Sequence, residues 1–94
     1  MSQAKSKPHV KIENWSVVDS VIATGYQELA PGQRLTGNIF GHADLPNGTI
    51  YTSAIVSIDK EAGLVETLNT LYQLGQIDSE YERWLIWQRA DRAA

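Results

Sequence analysis

The stretch Thr49 to Asp59 constrains the fold of this chain more than any other. Ile50, Thr52, Ala54, Val56 and Ile58 alternate with Tyr51, Ser53, Ile55 and Ser57, and a period of two sends successive side chains to opposite faces of a β-strand. Turn chemistry bounds it on both sides. Asp44-Leu45-Pro46-Asn47-Gly48 precedes it and Asp59 to Gly63 comes after it, both suited to hairpin loops. A strand held between two short turns pairs with its sequence neighbours, so an antiparallel meander is expected.

The flanking segments extend that pattern. Leu35, Gly37, Ile39 and Gly41 alternate with Thr36, Asn38, Phe40 and His42, and two glycines in one strand point to a bulge or the close approach of another backbone. Leu64 to Leu74 gives one long or two short strands, with Val65, Thr67, Asn69 and Leu71 opposing Leu64, Glu66, Leu68 and Tyr72. Val10 and Ile12 alternate with Lys11 and Glu13 as a short edge strand. Trp15, Val18, Val21 and Ile22 fall at helical spacing, with Asn14 placed as an N-cap and Gly25 as a C-cap, so a short helix is expected over 15–24, with a strand a close alternative because Val and Ile fit strands at least as well. Pro31-Gly32 has the chemistry of a type II turn, where only glycine takes the positive φ of the third position without strain.

The chain closes on a helix from about Ser79 to Arg92. Ser79 with Glu82 three residues on is a capping-box pattern, Glu80 and Glu82 suit the positive end of the helix dipole, and Arg89 and Arg92 suit the negative end. At 100° per residue, Tyr81, Trp84, Leu85 and Gln88 share one face. Trp87 sits on its border and Ile86 points away, which leaves apolar surface to spare. The expected fold is α+β: a small antiparallel β-meander or partial barrel of three to five strands packed by the C-terminal α-helix. Residues 1–8 read as a disordered tail and 9–94 as a single globular domain.

The absence of cysteine removes disulfides, thiolate metal sites and a Cys nucleophile, so a small core has to suffice. The longest apolar runs, such as Trp84-Leu85-Ile86-Trp87, fall far short of a membrane span. Lys5 and Lys7 have no apolar segment behind them, which sets a cytoplasmic location as the expectation. Net charge is −3, but Lys5, Lys7 and Lys11 all lie in residues 1–12, leaving a balance of −6 over 13–94. Phosphate neutralisation wants clustered Lys and Arg, so nucleic-acid binding by the folded core is disfavoured.

No catalytic or metal-ligand motif stands out, and no cofactor or metal is expected. An enzyme would have to use His42 with Thr52 or Ser53, but a strand-end histidine bonded to a turn backbone is the favoured account of His42. A small-ligand or nucleotide-binding module would use the glycine-rich strand 37–41, with Gly37, Gly41, His42, Tyr51 and Ser53 as pocket candidates. The leading expectation is a protein interface on the aromatic helix, with Trp84, Trp87, Ile86 and Arg83 as its candidates, in one form as a homodimer.

Leu35-Thr36-Gly37-Asn38-Ile39-Phe40-Gly41-His42, Leu45-Pro46-Asn47-Gly48, Thr52-Ser53-Ala54-Ile55 and Thr67 through Tyr72-Gln73-Leu74-Gly75 carry a resemblance over about residues 30–76. They resemble a group of small, mostly uncharacterised bacterial proteins often carried on prophages and plasmids. The resemblance implies an accessory protein of a mobile element that binds and modulates a host or defence protein; with no chemical motif in the chain, the expected role is non-enzymatic. It implies no catalytic residue.

Overall fold

Alternation becomes strand wherever turn residues bracket it, and five strands with one helix result along the chain. They are β1 (His9–Val18), β2 (Arg34–Ile39), β3 (Gly48–Asp59), β4 (Leu64–Thr67), β5 (Leu71–Leu74) and α1 (Ser79–Ala93). The computed structural model describes residues 7–21, 25–41 and 47–93, the last three by their backbone alone. Sequence neighbours pair antiparallel, as the meander predicts. An up-and-down path of five leaves its first and last strands running the same way, so β1 pairs parallel with β5 and closes the barrel.

No helix forms over 15–21, the described part of the segment where one is expected, because β1 continues into it as far as Val18; residues 22–24 lie outside the described residues. Both edges of this segment find backbone partners. Ser16, Val17 and Val18 pair with Thr36, Leu35 and Arg34 of β2. On the other edge Trp15 bridges Ile77, Val18 bridges Tyr26, and the Gln27 amide donates to the Val17 carbonyl at 2.8 Å. A ladder on one edge, bridges on the other and β-branched side chains outweigh a weak helical period. Asn14 is not a cap; it takes a φ of 51° inside a bulge where two residues of β1 face Gly37 alone on β2. Asn tolerates that left-handed backbone better than other side chains with a Cβ.

Gly37 is the close-approach glycine. A Cβ there would lie 2.8 Å from the Glu13 carbonyl oxygen and 2.9 Å from the Ile12 side chain. The Pro31-Gly32 turn forms as expected, with Gly32 at φ 92° and the Gln33 amide donating to Ala30 at 3.2 Å.

The strict alternation expected of β3 breaks twice. Its register slips by one residue against β2 between Tyr51 and Ala54, and again against β4 between Ile55 and Ser57. The Thr52 hydroxyl fills the first gap, accepting from the Leu35 amide at 3.0 Å. Thr52 and Ile55 are therefore the residues buried, and Val56 is turned out to solvent.

The core gathers Ile12, Val17, Leu35, Ile39, Ile55, Val65 and Tyr72 from the strands and Tyr81 from α1. Among the strands α1 approaches β1 alone, so it docks at its start rather than lying across the sheet. Lys7 and Pro8, read as the end of the tail, are bonded to the barrel. The Lys7 ammonium donates to Glu66 at 2.6 Å and to the Thr67 carbonyl at 2.7 Å, and the Leu71 amide donates to Pro8 at 2.8 Å. Residues 1–6 lie outside the described residues. Among the described residues no helix is long and apolar enough to cross a membrane.

Candidate functional site

The β1 bulge aims two side chains at the connection that launches α1. The Glu13 carboxylate accepts from the Gln76 amide at 2.6 Å, and the Trp15 indole donates to the Gly75 carbonyl at 3.1 Å. That amide, helped by Lys11, holds the Glu13 carboxyl below its ordinary value. The backbone adds to the clamp, since Trp15 donates to Gln76 at 3.2 Å and Asp78 donates to Trp15 at 2.9 Å.

Asp78 then starts the helix. Its carboxylate accepts from the amides of Glu80 at 3.1 Å and Tyr81 at 3.0 Å. The cap is therefore Asp78 rather than Ser79, one residue earlier than the capping-box pattern, because the clamp delivers the Asp78 side chain to the open amides first.

Tyr81 anchors the first turn of α1 to the barrel. It is fully buried, and its hydroxyl donates to the Gln27 carbonyl at 2.6 Å. Its ring meets Trp15 at 5.8 Å, Tyr26 at 5.3 Å and, stacked, Trp84 at 5.9 Å. Burial pushes its phenol up to about 12. Trp84, an expected interface residue, is held half-buried in this aromatic cluster, because its face of the helix is the docked one.

The opposite face of α1 is free. Trp87 is 71% exposed and Ile86 58% exposed. Arg83 and Ala90 are exposed beside them, and the four positions i, i+3, i+4 and i+7 form one stripe along the helix. Trp87 and Ile86 thus leave apolar surface uncovered on a helix whose start is anchored to the barrel.

Among the described residues, the pocket candidates do not line one cavity. Gly37 is buried, and the space left by its missing side chain is taken by the β1 bulge, not by a ligand. Gly41 lies past the end of β2 with its amide donating to Asn47 at 2.8 Å, and His42 lies outside the described residues. Ser53 is half-buried on β3, away from the groove that Tyr51 does line. That groove, about 290 Å³ and open to solvent, is bounded by Ser16, Val18, Gly25, Tyr26, Thr36 and Tyr51. Ser16, Thr36 and Tyr51 are successive partners across three strands. Their meeting depends on both bulges, and period-two reading of either strand alone misses it.

No family model, curated protein or solved structure matches this chain.

Proposed function

We propose that this protein is a non-enzymatic binding module that engages another protein through the outer face of α1, formed by Arg83, Ile86, Trp87 and Ala90. The exposure of Trp87 carries the reading. Fifteen residues of helix are anchored at one end by Tyr81 and Asp78, leaving a large aromatic side chain presented to solvent. Rigid Trp beside Arg is the composition of interface hot spots. A small accessory protein of the cytoplasm that modulates a host or defence protein, the role implied by the resemblance over residues 30–76, fits this mode of action.

Trp87→Ala and Ile86→Asp test it. Both substitutions are on the solvent side, so near-ultraviolet circular dichroism stays as in wild type while affinity capture and light scattering lose association. Unchanged association in both variants overturns the proposal.

The tyrosine-walled groove favours a second reading, a small-ligand site over Ser16, Thr36 and Tyr51. A ligand that binds only the folded chain at 100 times its Kd adds about 2.7 kcal/mol of stability. A flat thermal-shift screen of nucleotides and metabolites removes this second reading.

A further inference from the structure

We infer that the outer face of α1 pairs with the same face of a second copy of this chain, the two helices running antiparallel about a two-fold axis. This rests on the proposed role of that face and names its occupant.

Glu82 and Arg89 point to that occupant. They are seven residues apart, so they lie on the same flank of the Arg83–Ile86–Ala90 stripe, and both are exposed. Seven residues of helix span about 10.5 Å, too far for the two to meet within one helix. Among the described residues neither takes part in an ion pair. Opposite charges one heptad apart on one flank are the arrangement that two antiparallel copies of a helix can pair.

Orientation is set by symmetry. When two identical helices pack antiparallel about a two-fold axis, each flank lies against the same flank of the other copy. Glu82 then meets Arg89 of the second copy, and the axis repeats the contact. The same register sets Arg83 against Ile86 of the second copy and Glu80 beside Trp87 of the second copy. A parallel pair behaves differently, because it sets the Glu82 and Arg89 flank against the flank of Glu80 and Trp87 and makes no acid–base pair. Antiparallel macrodipoles also attract, whereas parallel ones repel.

The contact is small. A helix of 15 residues is about 22 Å long, which places the interface at the low end of specific interface sizes and makes association concentration-dependent.

Sedimentation velocity on the full chain from about 10 µM to about 1 mM tests the inference. Wild type should move from monomer toward twice the monomer mass as concentration rises. Glu82→Arg and Arg89→Glu alone each turn two attractive pairs into two repulsive ones and should weaken self-association about tenfold. An equimolar mixture of the two variants should regain the dimer, since all pairs in the heterodimer are complementary. The double variant E82R/R89E should do so by itself, which keeps the test valid if a single variant is impaired in folding. A wild type that stays monomeric, swaps without effect, or a mixture and double variant that both fail to recover overturn the inference. A monomeric wild type whose association with other proteins is still lost in Trp87→Ala overturns self-pairing only and leaves the proposed binding face standing.

Discussion

The Asp78 amide donates to the Trp15 carbonyl at 2.9 Å, and the Asp78 carboxylate caps α1. One residue thus ends the line of contacts along β1 and begins the helix. The relationship explains why a helix that approaches only one strand is nevertheless held in place, and why its far side is left uncovered.

Replacing Asp78 by Ala should cost about 1 kcal/mol of stability, the usual effect of losing an N-cap oxygen. Asp78→Asn should retain most of it, and Ser79→Ala should change little. Urea unfolding of the three variants checks the assignment, and a larger loss in Ser79→Ala would return the cap to Ser79.

Gly37→Ala should destabilise by about 2–3 kcal/mol, because the new methyl meets the Glu13 backbone and the Ile12 side chain, neither of which can swing aside. The same unfolding measurement decides it. A loss near the few tenths expected of an open strand position would mean that the β1 bulge is not packed as described.

Tyr81 makes stability fall at high pH. Its phenol ionises at about 12 in the folded chain against about 10 when exposed. The unfolded chain therefore loses this proton first, and the contribution of Tyr81, full below about pH 10, is lost as pH rises to about 12. Two units correspond to roughly 2–3 kcal/mol. Tyr26 and Tyr72, also raised by burial, act in the same direction. Denaturation midpoints from pH 9 to 12 should fall more steeply in wild type than in Tyr81→Phe, and equal slopes would contradict the burial of Tyr81.

Acid acts through Glu13 and Glu66. The Gln76 amide lowers the first and the Lys7 ammonium with the Ser57 hydroxyl lowers the second. Their contributions are present above the ordinary carboxylate value and are lost as pH falls through the lowered ones. Glu13→Gln should flatten the acid limb of the stability profile, measured by thermal melts across pH 3 to 6, and an unchanged limb would speak against the Glu13 clamp.

Much of the architecture was legible in residue order alone. Alternation between turn residues located β2, β3, β4 and β5, and the 100° period separated Tyr81, Trp84 and Leu85 from Ile86 on α1, with Trp87 on the border. What escaped was whatever depends on a partner strand. Asn14 resembles a cap until Gly37 opposite makes room for a bulge, and Val56 resembles a core residue until the Thr52 hydroxyl substitutes for a ladder bond and shifts the phase of β3. The glycine-rich strand suggested room for a ligand, but the room at Gly37 is used by the chain itself. On α1, Arg83, Ile86 and Trp87 are exposed, while Trp84 is drawn inward by stacking on Tyr81.

The central claim is that the outer face of α1 is where this protein meets another protein. A photoreactive amino acid placed at position 87, with a control at the exposed but separate Val56, tests this most directly in cells that express the full chain. Covalent adducts of protein mass are expected at position 87, lost on adding Ile86→Asp, with few or none at position 56. An absence of adducts at 87, or equal yields at both positions, would contradict the claim.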